Sequence, residues 1–549
     1  MERVSDIRMV KMISLWRLCA TVPALVLSAG IGYCEEGGAH LIFSESVPAG
    51  QSVTQPLSVA EGAYVRGRLD SLGHTFDLVM GDAQTPELRQ LLTNNTGSGQ
   101  FHFVAPSDTI TFVVRNNSDV AFTPELEIER IVTPSEMTGE TLSYTSPEIA
   151  KLAKELAQGG TTDAFWEARA KAGTPMIEPT KAEGQVLVTY LWRGATKNVR
   201  LWGGPASDHT WMTQLADSDV WYVTFEMPDT ARMSYGMAPD VPQFEGGERE
   251  NRVALLATLQ ADPLNKTPIY SDATDKWAQR SMLEGENAPI QPGMTRAENS
   301  ADEVPKGTIT PKILISETQP KRHVDYYRPA GFDPSRPDTV LLVMFDGPAY
   351  QTERAPVPAI LDRLIATKQL PQVVVALIDP VDSDQRGVDL TCNPAFMDTL
   401  AHDWLPQIEA EFGKTFAPSQ RVVSGSSYGG LASACMVHRH SDLFVNAVVL
   451  SGSFWWGPEG YDGQGMPYMS ALWADYTPPN VRIWMSAGLY EAGRAPGLVS
   501  IFETTRHLRD VMQLKGVADV TYREYAGGHD YLVWRGALAE GLLHLFGTN

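Results

Sequence analysis

The sequence predicts a multidomain chain in which two small β-sandwiches precede a C-terminal α/β domain, a mostly parallel sheet covered by helices. Three observations support this. The first is length, since 549 residues correspond to roughly three or four domains. The second is the rhythm of the C-terminal half. There the β-rich runs "VLLVMF" (340–345), "VVVALI" (373–378), "RVVS" (421–424), "AVVL" (447–450), "VRIWMS" (481–486) and "VTYREY" (520–525) alternate with helical patterns, as expected of a parallel sheet with helices on its faces. The third is that two earlier regions, about His40 to Val132 and Phe165 to Met237, carry short alternating or aromatic runs between turn residues. That pattern belongs to antiparallel strands with one buried face.

At the N-terminus, Arg3, Arg8, Lys11 and Arg17 precede the apolar run "LCATVPALVLSAGIGYC" from Leu18 to Cys34. A basic head followed by a short apolar run and small residues has the form of a secretory signal, which assigns residues 1–35 to a signal peptide. The run is short and poorly flanked for a membrane span, so no stable span is expected once the signal is removed. Tyr33 is bulky where a lipoprotein signal needs a small residue, which argues against lipidation of Cys34. Removing the signal leaves Cys392 and Cys435. These are either a pair formed in an oxidising compartment or two buried thiols, and their spacing is not that of a metal site. No metal cluster stands out among the 11 His. A formal net charge of −22 argues against a nucleic-acid partner, which a basic footprint must attract. With 43% hydrophobic and 20% charged residues the chain is neither disordered nor multispanning. Oligomeric state is left open.

The elements follow in order. Residues 36–135 hold "AYVRGRL", "FDLVM", "FHFV", "TITFVVRN" and "ELEIERIV", the strands of the first β module, whose role the sequence does not state. Residues 136–164 are a linker with one helix. In "SPEIAKLAKELAQGG", Ser146 is the N-cap, Pro147 opens the first turn, Gly159 stops the helix, and Ile149, Leu152 and Leu156 share a face. Residues 165–310 contain the aromatic strands "QVLVTYLWRG", "NVRLWGG" and "DVWYVTFEM", then a long irregular stretch from Ala238 to Lys312. A stretch of that length wraps a neighbour or contributes to a lid. Residues 311–549 are the α/β domain.

Its chemistry begins at Gly425-Ser426-Ser427-Tyr428-Gly429. This is a G-x-S-x-G pattern placed after the strand "RVVS" and before a helical run, the context in which the serine is exposed on a sharp turn. Glu491 follows "VRIWMS", and His529 follows "VTYREY". Serine, acid and histidine thus fall in chain order on strand-end loops, as in an α/β-hydrolase. A serine hydroxyl is a poor nucleophile until a base takes its proton, a role that suits His529. Glu491 would hold the ring in the useful tautomer, with Asp530 and Glu524 as rivals. The backbone N–H of Tyr428 is the expected oxyanion donor.

The segments "DLTCNPAFMDTLAHDWLPQIEAEFG", "VVSGSSYGGLASA", "LSGSFWWGPEG" and "GGHDYLVWRGALAEGLLHLF" resemble the enterochelin (ferric enterobactin) esterases of siderophore metabolism. Upstream, "FWEARAKAGTPMIEP", "VTYLWRG", "ADPLNKTP" and "VMFDGPAY" look like that family's N-terminal lid domain and its entry into the hydrolase. The resemblance runs from about Phe165 to the C-terminus. It implies hydrolysis of the serine trilactone of a catecholate siderophore, with a ferric catecholate siderophore as the partner. No cofactor is expected, because iron enters only as part of the substrate. By motif match Ser427, Glu491 and His529 are the implied triad, and Arg386 and Asp389 in "DQRGVDL" are implied substrate-binding positions. Trp455 and Trp456 are either flat walls for catechol rings or core packing. Trp534 and Arg535 are expected to dock the last helix.

Two departures stand out. Family members take a second oxyanion N–H from the residue after an Asp-Gly pair, whereas here Asp346-Gly347 is followed by Pro348, which has no N–H. Gly347 or Ala349 must donate instead, or Tyr428 acts alone. The other departure is the signal, which implies a periplasmic protein. Two alternatives accompany this reading: an exported carbohydrate acetyl or feruloyl esterase, and a siderophore-binding protein with weakened catalysis.

Overall fold

The computed structural model describes residues 39–42, 46–137, 145–205, 209–270, 273, 275–294, 304–463, 465–492, 500–517 and 519–548. The expected signal peptide, residues 1–35, lies outside them. Among the described residues no helix is long and apolar enough to cross a membrane.

The C-terminal half is built on one eight-stranded sheet. Its strands are β1 (Thr308–Leu314), β2 (Arg322–Arg328), β3 (Val340–Phe345), β4 (Val373–Ile378), β5 (Arg421–Ser426), β6 (Asn446–Leu450), β7 (Arg482–Gly488) and β8 (Asp519–Tyr525). They lie in the order β1-β2-β4-β3-β5-β6-β7-β8. The first two are antiparallel to their neighbours, and β3 through β8 are parallel. The inner strands form because both their faces are covered. Along β3, Leu341, Val343 and Phe345 feed one apolar core, while Val340, Leu342 and Met344 feed the other. All six runs expected from the sequence are strands. The pair β1 and β2 was not expected and extends the sheet into the stretch read as irregular.

Residues 176–284 form two antiparallel sheets of four and five strands. Their inward side chains, among them Tyr190, Leu201, Trp221, Met233, Tyr235 and Leu283, make a common core. Strand Arg280–Glu284 also falls in the stretch read as irregular. The helix Pro147–Ala157 begins where expected, with the Ser146 side chain accepting the Ile149 N–H. It buries Ile149 and Leu152 beside Trp166.

The first β module differs from two separate sheets. Its six strands share one antiparallel hydrogen-bonded network. The long strand Tyr64–Asp82 pairs with Glu125–Val132 through residues 64–70 and with Thr109–Asn116 through residues 76–82. The break between these halves contains Leu72 and Gly73, both at positive φ. A strand that bends there serves both halves of the module while one core, containing Leu69, Phe76, Phe101 and Phe112, fills the interior.

Apolar and polar contacts join the three units. Tyr64 and Val132 of the first module pack on Phe244, Leu255 and Leu259 of the middle unit, and Arg89 donates to the Ala257 carbonyl at 2.7 Å. Between the middle unit and the hydrolase, the Arg232 N–H donates to Ala526 O at 3.0 Å, and the Ser234 N–H donates to Asp530. Gln291 donates to Leu532 O at 2.5 Å and accepts from Arg535 Nε at 2.7 Å. Arg535 therefore ties the last helix to the segment entering the hydrolase. Trp534 fixes the same helix to the sheet through Nε1, 2.8 Å from Ser451 Oγ.

Candidate active site

Ser427 stands where β5 turns into the helix Tyr428–Arg439, with backbone angles φ 59° and ψ −120°. Such a conformation costs a non-glycine residue roughly 1–3 kcal/mol and persists only where the surroundings impose it. Glycines make the tight turn possible. A Cβ on Gly425 would lie 2.8 Å from the Gly429 carbonyl carbon, and one on Gly430 would lie 2.9 Å from Gly452 Cα. The first N–H groups of a helix have no intrahelical acceptor. Tyr428 N–H, at the first helical position, is therefore an unspent donor beside the serine.

The strands β5, β6, β7 and β8 are consecutive neighbours in the sheet, so the loops leaving their C-terminal ends lie along one edge of it. Ser427 follows β5, Ser453 follows β6, Glu491 follows β7 and His529 follows β8. His529 Nδ1 is 2.5 Å from Glu491 Oε1, and the other carboxylate oxygen accepts the Gly488 N–H at 2.6 Å. The Glu491 side chain is 1% exposed and that of His529 is 37% exposed. A buried carboxylate held at both oxygens thus fixes a half-exposed imidazole and leaves Nε2 for chemistry. Trp534 backs the ring edge-on, with centroids 4.7 Å apart. The rival acids are committed elsewhere. Glu524 is forked by Arg506 at 2.5 and 2.8 Å. Asp530 caps the last helix through the Leu532 N–H at 3.0 Å and holds Ser234 and Arg354.

Ser427 Oγ hydrogen-bonds Ser453 Oγ at 3.2 Å, and the Ser453 N–H donates back to Ser427 O at 3.0 Å. Sequence reasoning missed Ser453. It lies inside "LSGSFWW", in the loop after the adjoining strand, where only the sheet order shows that it meets the nucleophile.

The turn after β3 supplies the opposite side. Asp346 is left-handed, at φ 60° and ψ 40°. A Cβ on Gly347 would lie 2.6 Å from the Leu377 carbonyl carbon, so only glycine fits there. The Ala349 N–H is spent on Asp346 O at 3.0 Å. Of the two donors left open by Pro348, Gly347 is the one this turn does not use.

Arg386 sits on this turn, with Nε 2.6 Å from Asp346 Oδ1 and Nη2 2.7 Å from Oδ2. Its guanidinium also lies over the Tyr428 ring, 5.8 Å from the centroid. Burial alone would lower its pKa, but the Asp346 carboxylate outweighs that and raises it. The expectation for Asp389 is corrected. Its carboxylate is buried beneath the site, bound to the equally buried Arg322 and to Gln385 Nε2 at 2.7 Å. A carboxylate at that depth needs such partners and has no face for substrate. The two tryptophans separate. Trp455 is 49% exposed and tilts against Tyr428 at 6.0 Å, so its ring is open to solvent beside the serine elbow. Trp456 packs against the core and edge-on to Tyr468 at 5.7 Å.

Cys392 and Cys435 are joined in a disulfide, with Cα atoms 5.5 Å apart. The bond ties the loop just beyond Arg386 to the helix that Ser427 opens. Among the described residues, no group of three or more His, Cys, Asp or Glu is placed to hold a metal ion.

Comparison with known proteins agrees with this architecture. The enterochelin esterase N-terminal model matches residues 187–294 and the esterase model matches residues 315–545, together more than half of the chain. The chain is 27% identical over 409 residues to the iron(III) enterobactin esterase of Dickeya dadantii (strain 3937), covering 69% of this chain and 92% of that protein. To the iron(III) salmochelin esterase of Escherichia coli O6:H1 it is 28% identical over 424 residues, covering 72% and 96%. Among solved structures, it matches the enterobactin esterase of Shigella flexneri in the presence of enterobactin with a TM-score of 0.55, at 26% identity over 70% of this chain and 97% of that one. The ferric enterobactin esterase of Salmonella typhimurium gives a TM-score of 0.56, at 26% identity over 70% and 98%. With its fold and both family models in agreement, this chain belongs to the enterochelin esterase family.

Proposed function

We propose that this protein is a serine esterase that opens the trilactone of a ferric catecholate siderophore, with Ser427, His529 and Glu491 as its triad. The observation that carries the reading is a strained serine elbow and a carboxylate-anchored imidazole on loops that leave the same edge of one parallel sheet. The named activities of the relatives supply the substrate class.

In this mechanism, Ser427 Oγ leaves Ser453 and turns to His529 Nε2, which takes its proton as Oγ attacks an ester carbonyl. Tyr428 N–H and Gly347 N–H receive the oxyanion, each worth about 3–4 kcal/mol of barrier. His529 then protonates the leaving serine hydroxyl, and water repeats the sequence on the acyl-enzyme. Glu491 stabilises the imidazolium. Arg386 keeps Nη1 for an anionic catechol arm while its other nitrogens hold Asp346, and Trp455 offers a flat face to the ring. No cofactor enters, since the iron arrives with its chelate. The basic and apolar N-terminus supports export to the periplasm, and a disulfide beside the site is consistent with an oxidising compartment. There the two-sheet unit over the hydrolase would act as the lid.

The test is a chromatographic time course of mature protein with ferric enterobactin, metal-free enterobactin and a feruloyl ester, with Ser427→Ala as the control. Linear trimer, dimer or monomer from the siderophore, absent with Ser427→Ala, supports the reading. Turnover of the feruloyl ester alone keeps the serine chemistry and discards the siderophore. Tight binding without cleavage supports the binding-protein alternative.

A further inference from the structure

A line of arginines, each laid on an aromatic ring, leads away from the nucleophile across all three units. Arg386 lies over Tyr428, 5.8 Å from the ring centroid. Arg354 lies over Tyr531 at 5.1 Å, Arg280 of the lid over Trp202 at 5.6 Å, and Arg89 of the first module over Trp277 at 4.9 Å. Each feels the next. Arg386 and Arg354 both act on the Tyr531 hydroxyl, Arg354 repels Arg280, and Arg280 repels Arg89. The lid ladder explains why Arg280 can reach its ring. Trp202 pairs with Gly236, and Gly236 falls beside Arg280 one step along the adjoining ladder, so no side chain of the central strand stands between them.

Arg386 is matched by Asp346, but the other three cations are poorly compensated. Arg280 donates to the Trp277 and Gln279 carbonyls, both at 2.6 Å, and Arg89 donates to the Leu256 and Ala257 carbonyls. Asp275 is the carboxylate that offsets both. Burial first, and neighbouring arginines second, push each of the two down to about 10. Among the described residues Arg354 has one carboxylate contact, to Asp530 at 3.2 Å, and its Nε is buried without a partner. Holding desolvated like charges together is unfavourable unless an anion joins them. It is the more notable in a chain of net charge −22.

We propose that Arg354 and Arg280, with the rings of Tyr531 and Trp202, form a second station for a polyanionic aryl substrate, so that one arm of a tris-catecholate sits near Arg386 and another is held by the lid. This rests on the siderophore reading above and adds a lid subsite to it. Guanidinium groups suit the task because they bind oxyanions through a fork and stack flat on aromatic faces. Arg89 reinforces the field from the first module, which gives that module a part in substrate choice.

The test compares KM for ferric enterobactin, a trianion, with KM for a neutral aryl ester in Arg280→Gln, Arg354→Gln and Arg354→Lys. The ratio of the two constants rises about tenfold in each glutamine variant, the loss of one charged contact, and Arg354→Lys recovers part of it. In the wild type, raising salt from about 50 to about 500 mM increases the ferric enterobactin KM and leaves the neutral-ester KM nearly constant. Unchanged ratios, or a salt-independent KM, would overturn the subsite while leaving the esterase reading intact. Neutral-ester turnover with no wild-type cleavage of ferric enterobactin would overturn the reading on which it rests.

Discussion

Arg386 grips Asp346 through two parallel contacts of 2.6 and 2.7 Å, and Asp346 is the left-handed residue that precedes the Gly347 donor. The arginine is thus tied to the turn proposed to hold the oxyanion as well as being a proposed substrate contact. Lysine keeps the charge but cannot form the fork, and alanine leaves a nearly buried carboxylate without its cation. Arg386→Lys is expected to lower kcat about tenfold on a neutral ester, where binding charge is irrelevant, and Arg386→Ala to lower it further. Steady-state kinetics on that ester checks this. A normal kcat with a raised KM for the ferric siderophore alone would confine Arg386 to binding.

Glu491 and Asp530 flank the same histidine with different duties. Glu491→Gln keeps the shape but favours the wrong tautomer of His529, so kcat is expected to fall by about 10³–10⁴-fold with little loss of stability. Asp530→Asn disturbs the cap of the last helix, the Ser234 contact and the Arg354 ion pair. Its main expected effect is a lowered unfolding midpoint. Kinetics and thermal unfolding of both variants separate these roles, and a reversed pattern would make Asp530 the acid.

The six parallel strands and the three strand-end residues were legible because each rests on a local pattern: a β-rich run, a glycine-framed serine, an acid and a histidine in order. What stayed hidden depends on distant partners. β1 is an edge strand whose side chains are mostly exposed, so Thr308, Pro311 and Lys312 interrupt any apolar run. Asp389 looked available because Arg322, its partner 67 residues away, is brought to it only by the sheet. Ser453 and Asp346 joined the site for the same reason, and the choice between paired and separate cysteines needed tertiary contact. The bend at Leu72 and Gly73, which turns the first module into a single network, depends on backbone conformation that strand periodicity does not report.

The Cys392–Cys435 bond spans a separation of 43 residues. Chain-entropy arguments give roughly 4 kcal/mol for a loop of that size. Reductant, or Cys435→Ser, is expected to lower the denaturant midpoint of the hydrolase. Because the bond joins the neighbourhoods of Arg386 and Ser427, activity at sub-denaturing urea should fall with it. Equal unfolding curves with and without reductant would show that the bond does not constrain the unfolded chain.

Asp379 lies just beyond β4, and its Oδ1 is buried without a partner. Burial, and then the charge of Asp325, push its carboxyl up to about 7, against about 3.9 for a free side chain. The folded state therefore holds this proton more tightly than the unfolded state. Stability falls as pH rises from about 4 to about 7, and the loss is complete above that. An asparagine side chain does not titrate, so Asp379→Asn should be more stable than the wild type by about 2 kcal/mol at about pH 8, allowing for partial solvation of the carboxyl. At about pH 4.5 the advantage should be much smaller, because the wild-type carboxyl keeps its proton there in the folded state. Denaturant unfolding of both proteins at the two pH values measures the difference. An advantage that does not widen with pH would mean that Asp379 is already ionised in the folded protein under acid conditions.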